Sequence, residues 1–223
     1  KKLLIAAVFT MLGSCAFAQT SKGTVVLSGS LGFSTNTSKP QSDDGRYKAI
    51  TYNLAPSAGL MLNDKLEVGT TVSYSYSRTE SKSYIIDDEV PEFYGSREST
   101  DRTVSLQPYL KKYFMVSEKI AITGKAYADL FTGSSKSESD YRGLSSSSET
   151  KNRGFGIGVS PGITFFPTER IGLSANFGNL SYTRTTYEHE LRVIENTKST
   201  RSGLDLNLSS KYLTFGFGYF INR

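Results

Sequence analysis

This 223-residue chain is short of cysteine and histidine, with one of each, and has no late apolar run approaching twenty residues. Each scarcity excludes something. Cys15 alone makes no intramolecular disulfide. The lone His189 leaves few ways to assemble nucleophilic or acid–base chemistry. Without a later apolar run there is no spanning helix, and the mean hydropathy is negative, at −0.32. Charge of one sign is also thin: losing Lys1 and Lys2 takes the formal charge from +5 to +3. That modest surplus is not a nucleic-acid-binding stripe.

What is there begins with an export signal. Lys1 and Lys2 form a basic start, Leu3 to Leu12 a mostly apolar run, and Ala16-Phe17-Ala18 a small-x-small cleavage site before Gln19. The run is too short to span a bilayer. Cleavage near Ala18 removes Cys15 and leaves residues 19–223 as a single domain. A competing reading takes Leu12-Gly13-Ser14-Cys15 as a lipobox, with Cys15 as a lipidated N-terminus.

Period-two alternation recurs from Thr24 to the end, in eight segments. The first sets Val25, Leu27, Leu31 and Phe33 against serines, and the second Tyr52, Leu54, Ala58, Leu60 and Leu62 against Asn53 and Ser57. The third sets Leu66, Val68, Val72, Tyr74 and Tyr76 against Glu67, Thr71, Ser73 and Ser75. In the fourth, Val104, Leu106 and Leu110 oppose Thr103, Ser105, Gln107 and Lys111, and in the fifth, Ile120, Ile122, Ala126, Ala128 and Leu130 oppose Thr123, Lys125, Tyr127 and Asp129. The sixth sets Phe155, Ile157, Val159, Ile163 and Phe165 against glycines. The seventh changes phase at Gly178-Asn179 and the eighth at Ser209 to Tyr212, which predicts β-bulges at both.

The connections alternate in length. Asn63-Asp64-Lys65, Met115 to Lys119 and Pro167 to Arg170 are short turns, whereas 35–49, 77–101, 132–153 and 183–202 are long and polar. The pattern predicts an all-β fold: an eight-stranded antiparallel up-and-down transmembrane β-barrel with short periplasmic turns and four long extracellular loops. The serine run 145–148 makes the third loop close to low complexity, and a mobile loop is expected there.

A soluble barrel also alternates, so the direction of the apolar face decides. The other face of segment six is Gly154, Gly156, Gly158, Ser160, Gly162 and Thr164, poor for a solvated strand but suited to a narrow interior. Those glycines are expected to make room for Tyr109, Lys111, Lys125, Tyr127 and Glu67. Aromatics near the strand ends are expected to form two interfacial girdles: Tyr113, Phe114, Phe165, Phe166, Tyr219 and Phe220 at one end, Tyr74, Tyr76 and Tyr182 at the other.

The stretches Phe155-Gly156-Ile157-Gly158-Val159-Ser160-Pro161-Gly162, Phe177 to Tyr182 and the closing Leu213 to Phe220 resemble the small outer-membrane β-barrel family typified by OmpX, OmpW and the transmembrane part of OmpA. The resemblance covers residues 23 to 221. It implies an outer-membrane location among lipid and lipopolysaccharide, and insertion by the outer-membrane assembly machinery. Thr214, Gly216, Tyr219 and Ile221 resemble the family's assembly signal, although the chain ends Ile221-Asn222-Arg223 and lacks a terminal phenylalanine.

No cofactor, metal or catalytic site is expected. His189, flanked by Glu188 and Glu190, could nominally form an acyl-transfer set with Ser181 and Glu188, at a spacing that matches no motif. Asp87-Asp88-Glu89 and Glu92 make residues 78–101 acidic, without the glycine and spacing of a calcium loop. Tyr84, Ile85, Ile86, Phe93 and Tyr94 are candidate loop contacts for a partner; an extended hairpin explains them equally well. Inside the barrel, Glu67, Lys111, Lys125 and Asp129 among Tyr109, Tyr127, Gln107 and Asn53 are expected to form a plugged polar network, because charges away from water must pair. The role this predicts is a scaffold that displays its loops or docks with a larger outer-membrane complex. The alternative is a narrow channel or a lateral route for small apolar molecules. Without its signal, the purified chain is expected to aggregate in plain buffer and to become monodisperse in detergent; light scattering that shows a monodisperse species without amphiphile overturns the outward apolar face.

Overall fold

The computed structural model describes residues 20–38, 46–87, 90–190, 197–207 and 213–221, with backbone alone for 83–87, 90–94, Glu190 and Leu213. The expected signal, Cys15, Asp88, Glu89 and the slip at Ser209 to Tyr212 lie outside the described residues. Ten strands follow in order: β1 (Val25–Ser38), β2 (Arg46–Asn63), β3 (Leu66–Asp87), β4 (Val90–Ser117), β5 (Ile120–Tyr141), β6 (Leu144–Thr168), β7 (Ile171–Phe177), β8 (Asn179–Glu190), β9 (Thr197–Asn207) and β10 (Leu213–Ile221). All pairings are antiparallel. At the short-turn end, β1 to β7 and β10 form a ring closed by β1 against β10 and β5 against β6. Above it β8 and β9 continue the seventh and eighth walls, so ten segments make the expected eight-stranded barrel.

The three tight turns share one chemistry. Each places an acid and a base at the tip, Asp64-Lys65, Glu118-Lys119 and Glu169-Arg170. In each, the preceding polar side chain accepts a hydrogen bond from the base's backbone N–H: Asn63 Oδ1 from Lys65 at 3.0 Å, Ser117 Oγ from Lys119 at 3.4 Å and Thr168 Oγ1 from Arg170 at 3.4 Å. This local alternative to the ladder stops the strand and reverses it.

The seventh wall breaks at Gly178. Below it β6 pairs Gly162 with Asn176; above it Val159 pairs with Leu180, a slip of one residue at the position where the apolar phase changes. Gly178 has φ 83, in the left-handed region that favours glycine. Its carbonyl accepts a hydrogen bond from Ser160 Oγ at 2.6 Å. On the facing wall, Asn207 pairs with Asn179 and Leu213 with Phe177.

The four long polar stretches are where the fold departs from expectation. In the second and third of them the described residues are strand, not irregular loop: β3 and β4 pair out to Asp87 and Val90, and β5 and β6 to Tyr141 and Leu144. The serine run expected to be a mobile loop pairs with β5, Ser148 with Ser137 and Ser145 with Asp140. The turn at Arg142 and Gly143 takes two consecutive positive φ values, 50 and 79, the conformation that matches hairpin twist. Ladder hydrogen bonds and β-branched threonines sustain strands even where both faces are polar, which a reading of apolar alternation misses.

Along the lower walls, leucine, isoleucine, valine and phenylalanine point outward and are exposed all round, from Leu27 and Leu54 to Ile157 and Leu173. On β4 this band runs from Val104 to Val116 and gives way above to Arg102. An apolar belt around the whole circumference needs a hydrocarbon surrounding. No helix among the described residues is long and apolar enough to cross a membrane, which says nothing about a barrel. Gly178→Ala is expected to lower the unfolding free energy by about 1–2 kcal/mol through its left-handed backbone. The urea midpoint followed by far-UV circular dichroism in micelles reads this, and an unchanged midpoint contradicts a φ held positive at 178.

Candidate functional site

The interior is layered. At the short-turn end each descending wall turns one bulky side chain inward just before its turn or terminus: Met61 on β2, Tyr113 on β4, Phe166 on β6 and Phe220 on β10. With Val26 and Ala121 they form the buried cluster that fills this end. Phe166 meets Phe220 edge-on with centroids 5.4 Å apart, and Tyr113 at 6.4 Å. Here the girdle expectation is corrected. Tyr113, Phe166 and Phe220 point inward, and their neighbours Phe114, Phe165 and Tyr219 point outward; adjacent residues of a strand cannot share a face.

Directly above this cluster lies Glu67, 1 % exposed. Its carboxylate accepts one hydroxyl hydrogen bond on each oxygen, from Tyr109 and from Tyr113, both at 2.5 Å. Lys111 Nζ sits 4.8 Å from the Tyr113 ring centroid, and Lys125 Nζ 4.4 Å from that of Tyr109. Lys125 donates to Gln107 Oε1 at 2.7 Å and to Thr71 Oγ1 at 3.5 Å. Thr71 in turn donates to Ser57 Oγ at 3.1 Å. The expected direct pairing of opposite charges is therefore replaced among the described residues: the carboxylate is satisfied by phenols, and the ammonium by neutral oxygens and aromatic faces.

Small residues opposite make room for the phenols. A Cβ on Gly69 would lie 2.5 Å from the Tyr109 hydroxyl, and one on Gly158 2.6 Å from that of Tyr127. Segment six thus accommodates Tyr127 as expected, while Tyr109 rests on β3. Asn179 Nδ2 donates to the Tyr127 hydroxyl at 2.9 Å.

Above Glu67 the lumen opens into a cavity of about 400 Å³ walled chiefly by hydroxyl and amide groups, among them Ser28, Ser30, Ser105, Asn176 and Thr214. Asp129 stands outside its lining, half-buried, with Oδ1 lacking a partner among the described residues. Asn53 is exposed, and its expected place in the buried network is corrected. Tyr113, Thr71 and Ser57 are members that sequence reasoning left out of the network, although Tyr113 shares its phase with Tyr109 and Lys111.

The other candidate residues lie apart. Ser181 and His189 are eight positions apart on β8, about 26 Å at 3.3 Å per residue, and His189 Nδ1 contacts Thr150 Oγ1 at 3.0 Å. No shared acyl-transfer site forms from them. Among the described residues no group of three or more His, Cys, Asp or Glu could hold a metal ion. The backbone at Tyr84, Ile85 and Ile86 pairs with Phe93, Glu92 and Pro91, with Tyr94 at the register shift, in an extended hairpin. Thr214 and Gly216 line the lumen; Tyr219 and Ile221 face outward.

Beyond the apolar belt the walls carry ion pairs, within one strand between Arg78 and Glu80 at 3.0 Å and Lys136 and Glu138 at 2.5 Å, and between neighbouring strands from Arg78 to Glu98 at 2.9 Å and from Glu188 to Arg153 and Lys198 at 3.0 and 3.1 Å. The hydrogen bond from Lys198, and then its charge, hold the Glu188 carboxyl below its ordinary range.

A family model described as outer membrane protein beta-barrel domain matches residues 4–220. Among solved structures, Neisserial surface protein A is similar at 18% identity over 91% of this chain and 98% of its own, with a TM-score of 0.40. OprG from Pseudomonas aeruginosa is similar at 14% identity over 92% and 99%, TM-score 0.47, and Ail, the attachment invasion locus protein of Yersinia pestis, at 13% over 90% and 99%, TM-score 0.35. No curated protein matches. Removing the carboxylate by Glu67→Leu leaves two buried phenols without an acceptor. It is expected to destabilise the barrel by about 2 kcal/mol or more, measured as the urea midpoint in micelles; a neutral effect contradicts the two hydrogen bonds.

Proposed function

Because the chain belongs to the outer membrane protein beta-barrel domain family, it is set in an outer membrane among lipid and lipopolysaccharide, and we propose that it acts there as an interaction scaffold with a plugged core. The observation that carries this reading is wall length. β3 to β6 run 22, 28, 22 and 25 residues, whereas about 9–11 residues cross the hydrocarbon. Roughly half of each strand is therefore available above the belt as a continuous sheet.

That sheet is polar on both faces and tied across strands by Arg78 to Glu98 and Arg153 to Glu188. Individually such exposed pairs contribute little to stability. Together they present a patterned charged surface, suited to contact with a partner at the cell surface or within a larger outer-membrane complex. The filled lower end supports a plugged core, since the side chains that would have to move for solute to pass are packed aromatic rings and a carboxylate held by two phenols. Insertion would proceed through the outer-membrane assembly machinery, with Thr214, Gly216, Tyr219 and Ile221 as its signal on the last wall.

Two measurements test the reading. In planar bilayers the protein is expected to give no sustained single-channel current, and the double variant Phe166→Ala, Phe220→Ala to leak; steady wild-type currents contradict the plug. Replacing residues 81–98 by a two-residue turn is expected to leave the folded gel mobility intact but to abolish co-purification of outer-membrane partners in mild detergent. Unchanged co-purification contradicts the role of the projecting wall.

A further inference from the structure

The hydrogen bonds of the lumen are unevenly distributed. On the side formed by β2 to β5 and β8 the polar groups are matched within the wall: Ser73 with Ser105 at 2.7 Å, Thr71 with Ser57 at 3.1 Å, Lys125 with Gln107 at 2.7 Å and Asn179 with Tyr127 at 2.9 Å. On the side formed by β1, β7 and β10 they are not. Ser30, Ser174, Asn176 and Thr214 line the same cavity, and among the described residues none of their side chains has a hydrogen-bond partner. A hydroxyl or amide that faces open space forgoes hydrogen bonds which an occupant would supply.

These four side chains stand together. The ladder sets Thr214 opposite Asn176 and Gly216 opposite Ser174, and Ser30 follows Gly29, the partner of Phe217 across the closing contact. The missing side chain of Gly216 keeps the patch open, since a Cβ there would lie 2.7 Å from the Ser174 hydroxyl. Higher on the opposite side, Ser75, Thr103, Gly133 and Asn152 follow one another across the ladder, and Asn152 Oδ1 is buried without a partner among the described residues.

Charge narrows what can occupy the chamber. Glu67, Lys111 and Lys125 belong to its lining; Asp129 stands just outside, where it interacts with the charge of Lys125 and accepts a hydrogen bond from Ser105. Two carboxylates balance two amines, so neither an anion nor a cation is selected. The groups left for recognition are three hydroxyls and an amide, each able both to donate and to accept. A matching ligand is uncharged and carries several closely spaced hydroxyls. Size limits it further, because about 400 Å³ lies at the small end of small-molecule sites. Met61, Tyr113, Phe166 and Phe220 fill the lower end, so entry is from the outer side. We propose that the lumen binds a neutral sugar of hexose size, its hydroxyls shared among Ser30, Ser174, Asn176 and Thr214. Unlike the scaffold reading, this needs no partner protein, and it needs no passage through the plug.

Saturation-transfer NMR of the full protein in dodecylphosphocholine micelles, which carry no sugar, tests this with glucose, galactose, mannose and N-acetylglucosamine as probes. At least one of the four is expected to receive saturation, with cyclohexanol, glucosamine and glucuronate bound about tenfold more weakly or worse. Asn176→Leu and Thr214→Val nearly keep side-chain volume while losing hydrogen-bonding groups, and Ser174→Ala is a smaller change of the same kind. Each is expected to weaken binding about tenfold, the worth of one or two neutral hydrogen bonds, with folded gel mobility verifying the barrel. Transfer to none of the four sugars means that water alone fills the chamber and overturns the proposal on wild-type protein. Equal transfer to cyclohexanol, glucosamine or glucuronate does the same, and binding undiminished in the folded variants overturns the site.

Discussion

Backbone polarity in hydrocarbon is the constraint from which this structure follows. A peptide N–H or C=O left without a partner in the bilayer core costs several kcal/mol, so a chain that crosses as strands must return its last wall to its first. Here the closing contact is short, Val25 to Gly29 against Phe217 to Ile221, and it sits at the end where the turns are tightest. The lower ring is consequently the rigid part of the molecule. Three acid–base turns capped in the same manner fix its register, and four inward side chains fill it.

Filling that end with aromatics and methionine creates a secondary problem, which Glu67 resolves. A carboxylate so enclosed is tolerated only with strong donors, and Tyr109 and Tyr113 approach it from one strand while Gly69 makes space for the first of them. The phenols therefore serve packing and hydrogen bonding together. Their rings also stand against the two lysines, Lys111 at Tyr113 and Lys125 at Tyr109.

Much of this was legible in the residues. Alternation fixed the outward faces of all eight walls, and the phase change at Gly178 marked the bulge at its observed position. The inward aromatics were readable by the same rule: Tyr113 shares parity with Tyr109 and Lys111, Phe166 with Gly162 and Thr164, and Phe220 with Gly216 and Gly218. Grouping them by nearness to turns obscured it. The extent of the strands was harder to read, because β4 above Arg102 and β6 below residue 154 have no apolar face, and only the pairing of one polar strand with the next reveals them.

The central claim concerns which face of the sheet meets acyl chains, and spin labels placed singly along Thr103 to Leu110 in vesicles test it most directly. Collision rates with oxygen, which concentrates in hydrocarbon, are predicted to alternate: high at Val104, Leu106, Pro108 and Leu110, low at Thr103, Ser105, Gln107 and Tyr109. A profile without alternation, or with the serine and tyrosine positions more accessible to oxygen than the leucines, would contradict the account.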